Sequence, residues 1–282
     1  MNLIDPATAY SDKEFLYTPA DFERIKVLIY KKAGIALSPS KVQMVYSRLS
    51  RRVRKLGLRS FATYLDGLEK DRDGGEMEGF INALTTNLTH FFREPHHFPI
   101  LSDHLKSCDQ PITIWCSACS TGEEAYSIAM VACEVFGTLK PPVRIIASDV
   151  DTNALAIAQR AVYPIEQTDK ELTQERLRRF FQKGTEENSG SVRVRTEIKQ
   201  LVTFRHENLI TPPWQFNMRF DAIFCRNVMI YFDKPTQIKV LEAFTPMLKP
   251  RGLLFAGHSE NFSHLSRELQ LRGKTVYSLA RA

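Results

Sequence analysis

Apolar positions in the first 90 residues recur at helical spacing. Phe22, Ile25, Leu28 and Ile29 share one face of a helix that Thr18-Pro19 opens and Gly34 ends. Beyond Ser38-Pro39-Ser40, the residues Val42, Val45, Leu49, Val53 and Leu56 line one face of a second. Ser60 caps a third (Phe61, Tyr64, Leu65, Leu68), Asp73-Gly74-Gly75 breaks the chain, and Phe80, Ile81 and Leu84 begin a fourth. No run alternates with period two before residue 110, so residues 1–90 predict a small all-helical N-terminal domain. Its exit, 85–95, is polar and aromatic together, and Pro95 separates it from an amphipathic segment at 98–105.

From residue 112 the pattern changes to strands alternating with helices. Ile112, Ile114 and Trp115 form a short apolar strand, the small residues Ser117, Ala118, Ser120, Thr121 and Gly122 follow, and a helix starts at Glu123. A second strand, 143–147, ends at Ser148-Asp149 before a helix from Thr152. Further strands are predicted at 201–204, 220–225, 253–256 and 275–279, with a helix at 235–248. The fold class is therefore α/β, a mostly parallel, doubly wound sheet over residues 91–282 that holds ligands at the carboxyl ends of its strands. Within it, Gly184 and Gly190 punctuate a polar run, and Val192-Arg193-Val194-Arg195 alternates strictly. Residues 184–204 thus predict a small antiparallel β insert with an exposed edge strand.

Length and composition narrow the class. A chain of 282 residues with 43% hydrophobic and 25% charged residues can bury a proper core in one large or two unequal domains. No apolar run approaches the ~18–20 residues of a membrane span, and the first ten residues lack a basic-then-apolar signal pattern, so a cytoplasmic protein is expected. Five cysteines, an odd number, argue against a disulfide framework. Cys116 and Cys119 form a C-x-x-C without a second pair or a histidine at ligand spacing, which disfavours zinc and gives a redox pair little support.

The net charge of +6 matters for where it sits. Residues 41–59 hold seven basic residues and no acidic one. Lys41, Arg48, Arg51, Arg52, Lys55 and Arg59 fall on one stripe of a basic helix, 41–57, beside its apolar stripe. A solvated face is the ordinary explanation; a stripe so pure in sign points instead to docking against something acidic.

Candidate chemistry lies at the strand ends. A nicotinamide dehydrogenase would want G-x-G-x-x-G after its first strand to place a pyrophosphate on a helix start, and only Gly122 is present here. Asp149 ends the second strand, where a carboxylate can accept both hydroxyls of a ribose or, more plainly, cap a helix. Ribose without pyrophosphate suggests S-adenosylmethionine.

Four motifs in one order, TNLTHFFRE (86–94), ACSTGEEAYSIA (118–129), ASDVD (147–151) and FCRNVMIYFDK (224–234), resemble the CheR family of chemotaxis receptor methyltransferases. The resemblance runs from about residue 18 to the C-terminus. It implies a Rossmann-like S-adenosylmethionine-dependent methyltransferase sheet, a helical N-terminal domain, a β-subdomain where the insert falls, and methyl transfer to glutamate side chains of membrane chemoreceptors. By this match Asn87, Thr89, Arg93, Glu124 and Asp149 surround the cofactor, Asn208 and Leu209 flank its adenine, and Arg226 and Asn227 complete the pocket. Tyr231 stands nearest the transferred methyl, and Arg93 clamps a carboxylate of cofactor or substrate. Asn208 departs from the aspartate common at this position in other methyltransferases. No metal is implied. The partners implied are the receptors' cytoplasmic domains, docked on Arg48, Arg51, Arg52 and Lys55. Their C-terminal pentapeptide would meet Arg193 and Arg195 on the edge strand. A monomer is expected.

Two other classes compete with this reading. The basic balance suits a nucleic-acid methyltransferase, and Thr211-Pro212-Pro213-Trp214 is similar to the N-P-P-Y motif of amino-group methylases. That motif should end the fourth strand, which instead ends in Cys225-Arg226-Asn227, with no Pro-Cys pair for cytosine C5 chemistry. A non-catalytic adaptor on the same fold is the other, and the intact polar residues at the strand ends argue against it.

Overall fold

The computed structural model describes residues 14–71, 73–168 and 172–280; the expectation for the first ten residues lies outside them. The chain divides into two units: Met1–Thr86 with Tyr231–Asp233, and Asn87–Ile230 with Lys234–Ala282.

In the first unit, α1 (Pro19–Ala33) starts as its sequence dictates. Thr18 Oγ1 accepts the Asp21 N–H at 3.2 Å and Asp21 Oδ2 accepts the Thr18 N–H at 2.8 Å, a reciprocal cap. Gly34 (φ 72°) ends it, donating its N–H to the Tyr30 carbonyl. A short turn, Pro39–Lys41, leads into α2 (Val42–Lys55); α3 (Phe61–Glu69) follows Ser60, and α4 (Gly75–Leu84) follows Gly74. Ile25, Ile29, Val45, Leu49, Phe61 and Phe80 meet in one apolar core. Leu56, expected on the apolar stripe of α2, is 46% exposed, because the helix stops at Lys55 and the chain turns at Gly57 (φ 67°).

The second unit opens with α5 (His97–Ser107), β1 (Ile112–Cys116), α6 (Glu123–Phe136), β2 (Val143–Asp149) and α7 (Thr152–Arg160). Next come β3 (Val162–Pro164), α8 (Ile165–Thr168), α9 (Gln174–Phe180), β4 (Phe181–Lys183), β5 (Ser191–Val194) and α10 (Thr196–Lys199). It ends with β6 (Val202–His206), β7 (Phe220–Cys225), α11 (Lys234–Phe244), β8 (Leu248–Ala256), β9 (Leu269–Gly273) and β10 (Val276–Leu279). The main sheet has the order β6-β2-β1-β7-β8-β10-β9. The β6-to-β8 part is parallel and β10 runs antiparallel to β8 and β9. Chain order turns from one side to the other between β1 and β7, so a ligand crevice is expected at their carboxyl ends.

Every residue of β7 is buried, as suits a parallel strand covered on both faces, and α6 is buried from Glu123 to Cys133. Trp115 of β1 is enclosed, its Nε1 donating to Ser148 Oγ at 2.9 Å and its ring edge-on to Trp214 and Phe244. Truncating such a residue typically costs about 3–5 kcal/mol. None of the described helices is long and apolar enough to cross a membrane.

The insert differs from the expectation of 184–204. Its three-stranded sheet has the order β3-β5-β4 and draws on residues from Val162 to Val194, while β6 belongs to the main sheet. Two of its strands are three residues long, too short for a period-two signal. The alternating segment β5 is the central strand, not an edge.

Candidate functional site

The loop after β1 is shaped by backbone. Ser120 (φ 49°) and Gly122 (φ 100°) both take left-handed conformations. A Cβ on Gly122 would lie 2.8 Å from Ala158 Cβ and 3.0 Å from the Tyr163 hydroxyl, so only glycine lets α6 start here. Asp149, at the end of β2, grips this loop: Oδ2 accepts the Ser120 N–H at 2.7 Å and Oδ1 the Asp151 N–H at 2.9 Å. The protein packed around Asp149 pushes its carboxyl pKa up. A carboxylate offers about four lone-pair positions, so these two bonds leave acceptor capacity for a diol. Asn87 Nδ2 donates to Asp151 Oδ2 at 2.7 Å and its carbonyl accepts from Ser120 Oγ at 3.3 Å, tying its segment to the ends of β1 and β2.

At the end of β7 stands Arg226, its side chain 1% exposed. Nη1 donates to Glu124 Oε2 at 2.6 Å, Nη2 donates to the Arg93 carbonyl and lies 3.4 Å from Glu94 Oε2, and the buried Nε has no hydrogen-bond partner among the described residues. Glu124 Oε1 also accepts from Cys116 Sγ at 3.3 Å. Burial alone would raise the Glu94 carboxyl; the Arg226 guanidinium, the His258 N–H and the Asn227 amide outweigh it and hold its pKa at about 2. His97 is driven the other way, to about 4, first by burial and then by Arg226, so it is neutral at pH 7. Its Nε2 lies 2.8 Å from the Lys274 carbonyl and carries the proton, which leaves a Nδ1 lone pair 3.6 Å from Glu94.

Glu94, His96 and His97 bring ligand atoms within 4.8 Å of one another. The Glu94 oxygens already accept from the His258 N–H and the Asn227 amide beside the Arg226 guanidinium, so a divalent cation here would face a fixed positive charge. Glu94 is thus engaged by the His258 and Asn227 donors rather than left open as a ligand. The cysteines are free thiols, and burial holds Cys116 and Cys119 far from the thiolate a redox pair needs.

The other expected site residues fall as follows. Thr89 and Arg93 are half-buried, and Arg93 Nη1 donates to the Leu88 carbonyl at 2.7 Å. Beyond β6, Asn208 Oδ1 accepts the Ile210 N–H at 3.2 Å and its carbonyl accepts from Trp214 Nε1 at 3.0 Å, while Leu209 is buried. Tyr231, half-buried, belongs to the first unit, where its carbonyl accepts the Ala36 N–H at 2.8 Å.

The basic residues divide. Arg48 donates to the Leu84 and Thr85 carbonyls and to Thr86 Oγ1, and Arg52 chelates Glu76, so both brace α2 within its unit; Arg51 and Lys55 are exposed. Arg193 donates to Gln182 Oε1 at 3.1 Å across β5 and β4, and Arg195 Nη2 to the Arg178 carbonyl at 3.2 Å. Sequence reasoning missed Glu94, His97, His258 and Glu260. Glu94 lay inside a quoted motif; the others carry no local pattern, and only the strand order brings them to Arg226 and Asn227.

Comparison with known proteins gives two family-model matches: "CheR methyltransferase, all-alpha domain" over residues 20–85 and "CheR methyltransferase, SAM binding domain" over 87–278. Chemotaxis protein methyltransferase 2 of Pseudomonas aeruginosa is 51% identical over 278 residues, 98% of each chain. The chemotaxis protein methyltransferase of Escherichia coli is 52% identical over 262 residues, 93% of this chain and 91% of that one. That of Borreliella burgdorferi is 33% identical over 257 residues, 86% of this chain and 88% of that one.

Proposed function

The chain belongs to the CheR methyltransferase family, and from that premise we propose that it methylates glutamate side chains of chemoreceptors in the cytoplasm, using S-adenosylmethionine. The observation that carries the reading is Asp149 at the end of β2, bonded to the Ser120 N–H of the small-residue loop after β1 and retaining acceptor capacity. The donor set suits this cofactor. Asp149 accepts the ribose hydroxyls, Leu209 gives the adenine an apolar wall beside Asn208, and Arg93 is a cation for a carboxylate, the cofactor's own or the substrate's. Asn87, Thr89, Glu124, Arg226 and Asn227 complete the pocket, with Glu124 held by the Arg226 guanidinium.

S-adenosylmethionine, when bound, supplies the activated methyl group. The chain has little proton chemistry to perform, because a glutamate of pKa about 4.3 is already ionised at neutral pH. Its work is positioning, with water excluded so that charges meet in a low dielectric. The Tyr231 hydroxyl orients the attacking carboxylate oxygen by a hydrogen bond.

Receptor docking falls to the exposed Arg51 and Lys55 of α2, opposite acidic receptor helices, with Arg48 and Arg52 bracing that helix. Capture of a receptor's C-terminal pentapeptide falls to an edge of the three-stranded sheet. The β4 edge is the better one, since Pro164 removes a donor from β3. Incubation with labelled S-adenosylmethionine and receptor-containing membranes tests the reaction. Label released by mild base, as from a methyl ester, is expected; label that survives base would refute glutamate as the acceptor.

A further inference from the structure

Glu260 lies outside every motif of the sequence reading and is buried, in the turn that follows β8. Its Oε2 accepts the Gly257 N–H at 2.6 Å and the Asn227 N–H at 2.9 Å, and its Oε1 accepts the Ile230 N–H at 3.3 Å. No ion pair among the described residues includes it. A buried carboxylate is costly unless its acceptors are filled, and here backbone donors fill them. Two of the three belong to the loop that leaves β7.

That loop needs holding. Asn227 takes a left-handed backbone (φ 57°), a conformation that asparagine tolerates better than other non-glycine residues but that still needs its neighbours to select it. Gly257 makes the selection possible: a Cβ there would lie 2.5 Å from Asn227 Nδ2 and 2.8 Å from Glu260 Oε2, so the end of β8 meets the loop backbone against backbone. The side chain is held as well, since Asn227 Nδ2 donates to Glu94 Oε1 at 3.1 Å and leaves Oδ1 as the acceptor of the amide. Asn227 therefore hangs between two carboxylates, the buried Glu260 on its backbone N–H and the half-buried Glu94 on its side-chain amide.

We propose that Glu260 is a positioning residue of the methyl-transfer site, which by accepting the Asn227 and Ile230 N–H groups fixes the left-handed turn that presents Asn227 to the cofactor. Ile230 immediately precedes Tyr231, so the same carboxylate restrains the chain entering that residue. The inference rests on the assignment of Arg226 and Asn227 to the cofactor pocket. Glu260 touches no reacting atom; it acts through Asn227.

A double-mutant cycle with a binding readout decides it. Titration calorimetry would give the S-adenosylmethionine affinity of the wild type, Glu260→Gln, Asn227→Ala and the double variant, with thermal midpoints alongside. Glu260→Gln keeps the shape of the side chain but turns an amide NH2 toward backbone donors. It should weaken cofactor binding roughly tenfold in the wild-type background and hardly at all in Asn227→Ala. The same fold-loss in both backgrounds would mean that Glu260 stabilises the fold without acting through Asn227, and would overturn the proposal. If Asn227→Ala alone leaves affinity unchanged, the pocket assignment is what fails, and the proposal goes with it. Should Glu260→Gln not fold, Gly257→Ala gives an equivalent cycle, because its Cβ pushes on the Asn227 amide and the Glu260 carboxylate together.

Discussion

Asp149 is the last residue of β2, before α7, in a fold that binds ligands at strand ends. Its bonds to the Ser120 and Asp151 N–H groups fix the carboxylate before any ligand arrives. Asp149→Ala should therefore weaken S-adenosylmethionine binding by about 1.5–3 kcal/mol, as expected for hydrogen bonds to a charged group; calorimetry on a folded variant with unchanged affinity would remove the ribose assignment. Tyr231→Phe should behave differently, lowering kcat while cofactor affinity stays nearly intact, and a parallel loss of both would place Tyr231 in the cofactor pocket instead. Glu94, by contrast, could not be assigned a role from its neighbours in sequence. Asp149 could be picked out as a candidate from the strand and helix signals on either side of it, whereas Glu94's partner Asn227 is 133 residues away, and Glu260, which meets the same asparagine, follows β8 beside β7.

Elements were read to the extent that their signals were local. Thr18, Gly34 and Ser60 mark helix ends by chemistry that needs no tertiary context, and each does so in the structure. The edge strand β9 went unread, since four of its five residues are exposed and the alternation of Leu269 and Leu271 with Gln270 and Arg272 is too short to signal a strand. The order of strands in the insert was equally invisible: alternation in β5 signalled a strand but not that it lies between two partners. The basic stripe of α2 shows the same limit, because spacing places Arg48, Arg51, Arg52 and Lys55 together but cannot say which are engaged within the unit. Reversing Arg51 and Lys55 to glutamate should cut receptor methylation and make the residual rate less sensitive to salt, with cofactor binding and the thermal midpoint unchanged. Arg52→Glu should lower the midpoint instead, since it sets two carboxylates against each other at Glu76. Receptor methylation indifferent to the first pair would leave those residues as solvated charge.

Stability of the whole molecule ties the site to pH. His97 is fully buried with its pKa lowered to about 4, against about 6.5 in an unfolded chain. Between those values the unfolded state binds a proton that the folded state does not, so the contribution is present above pH 6.5 and is lost as pH falls toward 4. The loss amounts to about 3 kcal/mol, and Glu94, depressed to about 2, adds a second decline below its ordinary range. Denaturant unfolding of His97→Asn should show a flatter stability curve between pH 6.5 and 4 than the wild type; parallel curves would mean that His97 is not the group responsible. The neutral His97, the low-pKa Glu94 and the enclosed Arg226 also keep the end of β7 in one charge state through the neutral range, which a reaction depending on positioning requires. The destination of the methyl group tests the proposed function most directly. Mass spectrometric mapping of a receptor cytoplasmic fragment after incubation with this protein and S-adenosylmethionine should find the methyl on glutamate carboxylates within acidic helical segments. A methyl on lysine, arginine or histidine nitrogen, or an unmodified receptor despite a bound cofactor, would contradict it.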